Sequence, residues 1–132
     1  MIEPFDAVDG HRFRVGCDVV EVRQVVESVS RFGDRYLRKV FTEGEVADCG
    51  GRPDRLSARF AAKEAVIKAF AAPDESFALP EIEVVRVGSL PALRLAGRAA
   101  AIADQQGWVQ TSLSLSHAEC HAMAVVMALC SR

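Results

Sequence analysis

A chain of 132 residues, 50% hydrophobic and 26% charged, has the length of one domain and the apolar content for one small core. Its net charge of −2 excludes a surface built throughout to neutralise nucleic acid, and no apolar run approaches the ~20 residues of a membrane-crossing helix. The charge is uneven: residues 11–70 hold 12 Lys and Arg against 9 Asp and Glu, which suits an acidic partner or a polyphosphate. Cys17, Cys49, Cys120 and Cys130 form no C-x-x-C pair, which argues against a thiolate zinc site and fits a reducing cytoplasm. Residues 1–13 carry acids and no apolar stretch, so they read as an N-terminal arm rather than a secretory leader, ahead of a single domain over 14–132.

In chain order, residues 14–20 alternate as a short strand, and Val22, Val25, Val26 and Val29 follow at helical spacing, with Gly33 ending or kinking that helix. Thr42 and Glu45 match a capping box, so a second short helix is expected from Thr42. After a Cys49-Gly50-Gly51 loop, Asp54 is the expected N-cap of the strongest helix, over 55–71, closed by Pro73. A strand over 82–87, a turn over 88–91 and a partner strand over 92–95 form a hairpin. A helix over 97–106, ended by Gly107, leads to strands over 109–116 and 122–129, joined by a turn over 117–121. Hairpins mixed with one long helix predict an α+β fold: an antiparallel sheet packed with a long central helix and shorter ones.

Three pieces of this chain carry chemistry. Gly16-Cys17-Asp18 ends a strand, where a carboxylate becomes accessible and a glycine admits close approach. In the segment 59–69, RFAAKEAVIKA, Glu64 and Lys68 share one helix face and Arg59 and Lys63 an adjoining one. The carboxylate there can hold a hard cation, and the three cations phosphates. In Ser112-Leu113-Ser114-Leu115-Ser116-His117 the serines take one strand face and His117 the other, which argues against a Ser–His nucleophile pair. Each piece alone is also what a solvated cap, a surface ion pair or a polar strand face looks like.

Together, in this order, G-x-D, T-x-x-E, RFAAKEAxxKA and SLSH resemble the holo-acyl-carrier-protein synthases, 4′-phosphopantetheinyl transferases, over nearly the whole chain. The resemblance implies that Asp18 and Glu64 hold Mg²⁺, with Mn²⁺ a possible substitute, and that coenzyme A is the substrate. It implies transfer of 4′-phosphopantetheine to a serine of an apo acyl carrier protein, of fatty acid or polyketide type, with release of 3′,5′-ADP. Lys68 would serve the leaving group, and Glu64 would take the serine proton directly or through water. Arg59, Lys63, Lys68, Ser116 and His117 would contact coenzyme A, with Ser116 and His117 near the 3′-phosphate. Arg23, Gln24, Arg31, Arg35, Arg38 and Lys39 would meet the acidic carrier, Gln24 standing where the family has arginine. A homotrimer with coenzyme A bound across subunit boundaries is expected, with no nucleic acid and no membrane as partner.

The family's glycine-rich loop after this helix is replaced by Ala71-Ala72-Pro73-Asp74-Glu75-Ser76. That departure supports one competing reading, a non-catalytic relative that binds carrier protein. Another Mg²⁺-dependent nucleotide phosphohydrolase is the other, for which no P-loop is present.

Overall fold

The computed structural model describes residues 1–2 and 9–131. Its strands are β1 (His11–Glu21), β2 (Ile82–Val87), β3 (Leu90–Leu95), β4 (Trp108–His117) and β5 (His121–Ser131). Its α-helices are α1 (Val22–Phe32), α2 (Asp34–Val40), α3 (Glu43–Cys49), α4 (Pro53–Phe70) and α5 (Gly97–Gln105), with a 3₁₀ turn at Leu79–Glu81. β1, β5 and β4 form an antiparallel sheet in that order, and β2 pairs with β3 as a separate hairpin. The fold is the expected α+β arrangement around one long helix.

Small side chains set the depth of the core. β5 alternates strictly, turning Ala122, Ala124, Val126, Ala128 and Cys130 inward. α4 answers with Ala58, Ala61, Ala62, Ala65 and Ala69, all buried, so helix and sheet approach closely across β1 and β5. Gly16 carries this to its limit: a Cβ there would lie 1.8 Å from the Ala65 carbonyl oxygen. Arg14 secures the same seam by donating from Nη1 to the carbonyls of Ala69 and Phe70, both at 3.1 Å, at the negative end of α4.

The opposite face of the three-stranded sheet has no covering layer among the described residues. Val15, Met127 and Ser112 form one row across it, and Val19, Met123 and Ser116 another. Val15, Val19 and Met127 are 65%, 58% and 50% exposed, which makes an apolar patch continuous across β1 and β5.

Several boundaries differ from the sequence expectation. β1 starts at His11, so it takes three residues from the expected arm; residues 3–8 of that arm lie outside the described residues. α2 was not expected at all; it carries Tyr36, Leu37 and Val40 at helical spacing in only seven residues. α4 begins at Pro53, with Arg52 as N-cap; Asp54 instead accepts from the Arg55 N–H and from Arg52. Leu90 and Pro91 belong to β3, which leaves a two-residue turn at Gly88-Ser89.

Candidate active site

The close approach at Gly16 decides where Asp18 goes. Two residues on along the strand, Asp18 shares the face of Gly16 and reaches the exposed flank of α4, where Lys68 Nζ donates to its Oδ1 at 2.9 Å. Glu64 stands one helical turn from Lys68 on the same flank. Burial pushes the Glu64 carboxyl pKa up and the nearby Asp18 charge pushes it further, with Lys68 opposing. The Lys68 ammonium is shifted upward, first by its hydrogen bond to Asp18 and then by that charge. Asp18, Glu64 and Lys68 therefore converge, although 46 residues separate the two acids in sequence. A carboxyl that a neighbouring carboxylate makes costlier to ionise, as Asp18 does Glu64, favours a cation between the two. Among the described residues no His, Cys, Asp or Glu adds a third protein ligand.

The other flank of α4 opens on a cavity of about 280 Å³ lined by Arg55, Arg59, Arg86, Ser89, Leu115 and His117, among others. Arg59 is nearly buried: Nη2 donates to Asp48 and Nη1 to the Cys49 sulfur at 3.1 Å. Its Nε is buried with no hydrogen-bond partner. His117 Nδ1 lies 3.6 Å from an Asp54 carboxylate oxygen. Arg59 and His117, both predicted to contact nucleotide, thus share one polar cavity. Arg55, Arg86 and Ser89 were missed, since they come from a helix end and a hairpin with no motif to mark them.

One predicted contact is corrected. Lys63 is completely buried and cannot meet coenzyme A: its ammonium donates to Glu45 Oε1 at 2.7 Å and to the carbonyls of Leu79 and Ile82. Burial lowers its pKa against the pull of Glu45. Glu45 also accepts from the Thr42 and Val84 N–H groups at 3.0 Å, so this ion pair ties α3, α4 and β2 together. Ser116 faces away from His117, onto the uncovered sheet face beside Met123, so it lies outside the cavity within its own chain. The helical wheel held a signal for Lys63, which lies in line with Leu56, Val66 and Phe70.

The predicted carrier-contacting residues lie on α1 and α2. Arg23 and Gln24 are exposed, with Arg23 paired to Glu27 at 2.9 Å. Arg31 lies over the Phe32 ring, 5.3 Å from its centroid. Arg35 and Lys39 border a depression floored by Phe32 and Tyr36, whereas Arg38 opens onto a different groove beside Leu37 and Phe41.

Comparison with known proteins gives this geometry its context. The sequence profile of the 4′-phosphopantetheinyl transferase superfamily matches residues 14–126. A holo-[acyl-carrier-protein] synthase of Dehalococcoides mccartyi is 42% identical over 115 residues, which cover 86% of this chain and 95% of the relative. The apo-ACPS structure of Chronobacterium ammoniagenes superposes with a TM-score of 0.81 at 31% identity, over 92% of this chain and 99% of that one. The ACPS-CoA complex of the same organism gives 0.79 at 31% identity, over 91% and 98%.

Proposed function

Because this chain belongs to the 4′-phosphopantetheinyl transferase superfamily, we propose that it is a holo-acyl-carrier-protein synthase. It moves 4′-phosphopantetheine from coenzyme A to a serine of an apo acyl carrier protein and releases 3′,5′-ADP. The observation that carries this reading is the meeting of Asp18, Glu64 and Lys68 on one flank of α4.

In the reaction the carrier serine oxygen attacks the β-phosphorus of coenzyme A. The bond from that phosphorus to the bridging oxygen breaks, and its electron pair leaves with 3′,5′-ADP. Phosphoryl transfer asks the protein for positioning and for neutralisation of charge. Glu64, whose pKa is raised, suits acceptance of the serine proton, directly or through water. Lys68 stays cationic beside Asp18 and serves the departing oxygen. Asp18 and Glu64 are the residues that would hold Mg²⁺, or Mn²⁺ in its place. Two carboxylates with open positions suit Mg²⁺, which keeps waters and takes substrate phosphate. When bound, that ion supplies neutralisation of the diphosphate charge.

Arg59 and His117 contact the nucleotide, with His117 at the 3′-phosphate. Arg59 and Lys68 are nine residues apart on α4, about 13–14 Å along its axis. His117 and Asp18 lie on β4 and β1, the two outer strands of their sheet, about 9.5 Å apart across it. In coenzyme A the 3′-phosphate sits on the ribose, and the β-phosphate joins the same ribose through the α-phosphate at O5′. That separation supports a shared site in which one copy supplies Asp18, Glu64 and Lys68 and a neighbour supplies Arg59 and His117. The uncovered face of β1 and β5 supports a homotrimer as the assembly. Arg23, Gln24, Arg31, Arg35, Arg38 and Lys39 steer the acidic carrier onto α1 and α2, in a cytoplasmic setting that keeps the four free cysteines reduced.

Incubation with coenzyme A, Mg²⁺ and apo carrier proteins of fatty acid and polyketide type, read by mass spectrometry, tests this. A gain of one phosphopantetheine on either carrier is expected, lost in Asp18→Ala and in Glu64→Ala. Coenzyme A breakdown without carrier modification would point instead to a hydrolase, and binding without reaction to a carrier-docking module.

A further inference from the structure

The last turn of α4 carries Lys68, and the backbone alone holds that turn weakly. The final four carbonyls of a helix have no partner within it. Here the Ile67 carbonyl accepts from the Ala71 N–H at 3.3 Å, and Ala71 sits in the left-handed region that favours glycine. Two side chains from other elements close the end. Arg14 on β1 donates from Nη1 to the Ala69 and Phe70 carbonyls, both at 3.1 Å. Gln106, the C-cap of α5, donates from Nε2 to the same Phe70 carbonyl at 2.8 Å, and Trp108 Nε1 donates to its Oε1 at 3.0 Å. Arg14, Gly16 and Asp18 share one face of β1, so they meet α4 in series: a directional clamp, a close approach and an ion pair. The packing around them is of small apolar side chains, and hydrophobic contact is non-directional. The clamp therefore fixes the last turn of α4 against the strand that carries Asp18.

We propose that Arg14 is a positioning residue for phosphopantetheine transfer. Bound to the end of α4, its guanidinium keeps Lys68 Nζ within hydrogen-bond reach of Asp18 and aimed at the departing oxygen. Gln106 braces the same end from a second element. Arg14 touches neither substrate nor the reacting atoms and acts only through Lys68. This role rests on the transferase reading, in which Lys68 serves the leaving group, whereas the clamp itself is a feature of the fold. Arg14 is half-buried, so Arg14→Met keeps an aliphatic stem in place and removes only the donors.

Steady-state transfer to an apo acyl carrier protein at saturating Mg²⁺, with coenzyme A and carrier each varied, tests the proposal in wild type, Arg14→Met and Arg14→Lys. Arg14→Met should lower kcat about tenfold, within the roughly 10²-fold cost of a 1 Å misplacement, and leave both KM values within about twofold. Arg14→Lys, which keeps a cationic donor, should recover at least about half of kcat. In a Lys68→Met background, Arg14→Met should cost less than about twofold more, because nothing remains for the clamp to position. Hydrogen exchange read by mass spectrometry should be about tenfold faster over residues 67–71 of Arg14→Met and unchanged over 56–63. An unchanged kcat, an equal fall in the Lys68→Met background or unchanged exchange over 67–71 overturns the proposal. Faster exchange over both segments, with kcat falling no further than the folded fraction, also overturns it, by making Arg14 a support of the fold alone. A wild type that transfers nothing removes the transferase reading, whereas one that transfers and tolerates the loss of Arg14 removes this inference alone.

Discussion

Asp18, Glu64 and Lys68 combine a function with a stability penalty. Glu64 has its folded pKa raised, so its contribution is full when protonated and is lost as pH rises through the folded pKa. At neutral pH, without a divalent cation, its ionised form therefore weakens the fold. Glu64→Gln should raise the melting temperature by about 1–2 °C at pH 7, for a few tenths of a kcal/mol on a partly solvated group, while abolishing transfer. The difference should vanish below pH 4; an unchanged or lowered melting temperature at pH 7 would contradict the assignment. At the end of the same helix, Ala71 caps α4 in the left-handed region, with φ 49° and ψ 38°. That conformation costs an alanine about 1 kcal/mol, so Ala71→Gly should raise the denaturation midpoint. The backbone at Ala71 is one that glycine adopts without that cost.

Among the elements, β1 and α4 form the pair on which the site depends. Gly16→Ala forces a methyl into the Ala65 carbonyl, so strand and helix must part. Destabilisation of about 1–3 kcal/mol by chemical denaturation is expected, with transferase activity falling further than the folded fraction does. Full activity in a folded Gly16→Ala protein would show that the seam does not align Asp18 with Glu64. Much of this arrangement was legible beforehand. The final apolar strand and the capping box of Thr42 and Glu45 appear as read, because each is a local pattern with one physical meaning. α2 was lost because Asp34, Arg35, Arg38 and Lys39 dilute its apolar spacing in seven residues. Lys63 was misassigned because motif likeness carries a residue's identity and not its burial. Arg55 and Arg86 were invisible because only the fold brings α4 and β2 to one cavity.

For the whole molecule, the trimer proposed above ties the uncovered sheet face to the active site. If neighbouring copies share the nucleotide, a charge placed in that patch should disable both at once. Met127→Glu is half-exposed in the single chain and should leave its fold intact, yet it buries a carboxylate in any interface formed there. Light scattering should report a shift from trimer to monomer, and carrier modification should disappear. A fully active monomer would refute the shared site. The ion pair of Lys63 and Glu45 has a separate consequence at this scale. The chain has three lysines, at 39, 63 and 68, and two of them face water. Amine acylation therefore marks Lys39 and Lys68 on the native surface, whereas labelling of Lys63 waits for the interior to open. That one lysine makes the chain a reporter of its own unfolding.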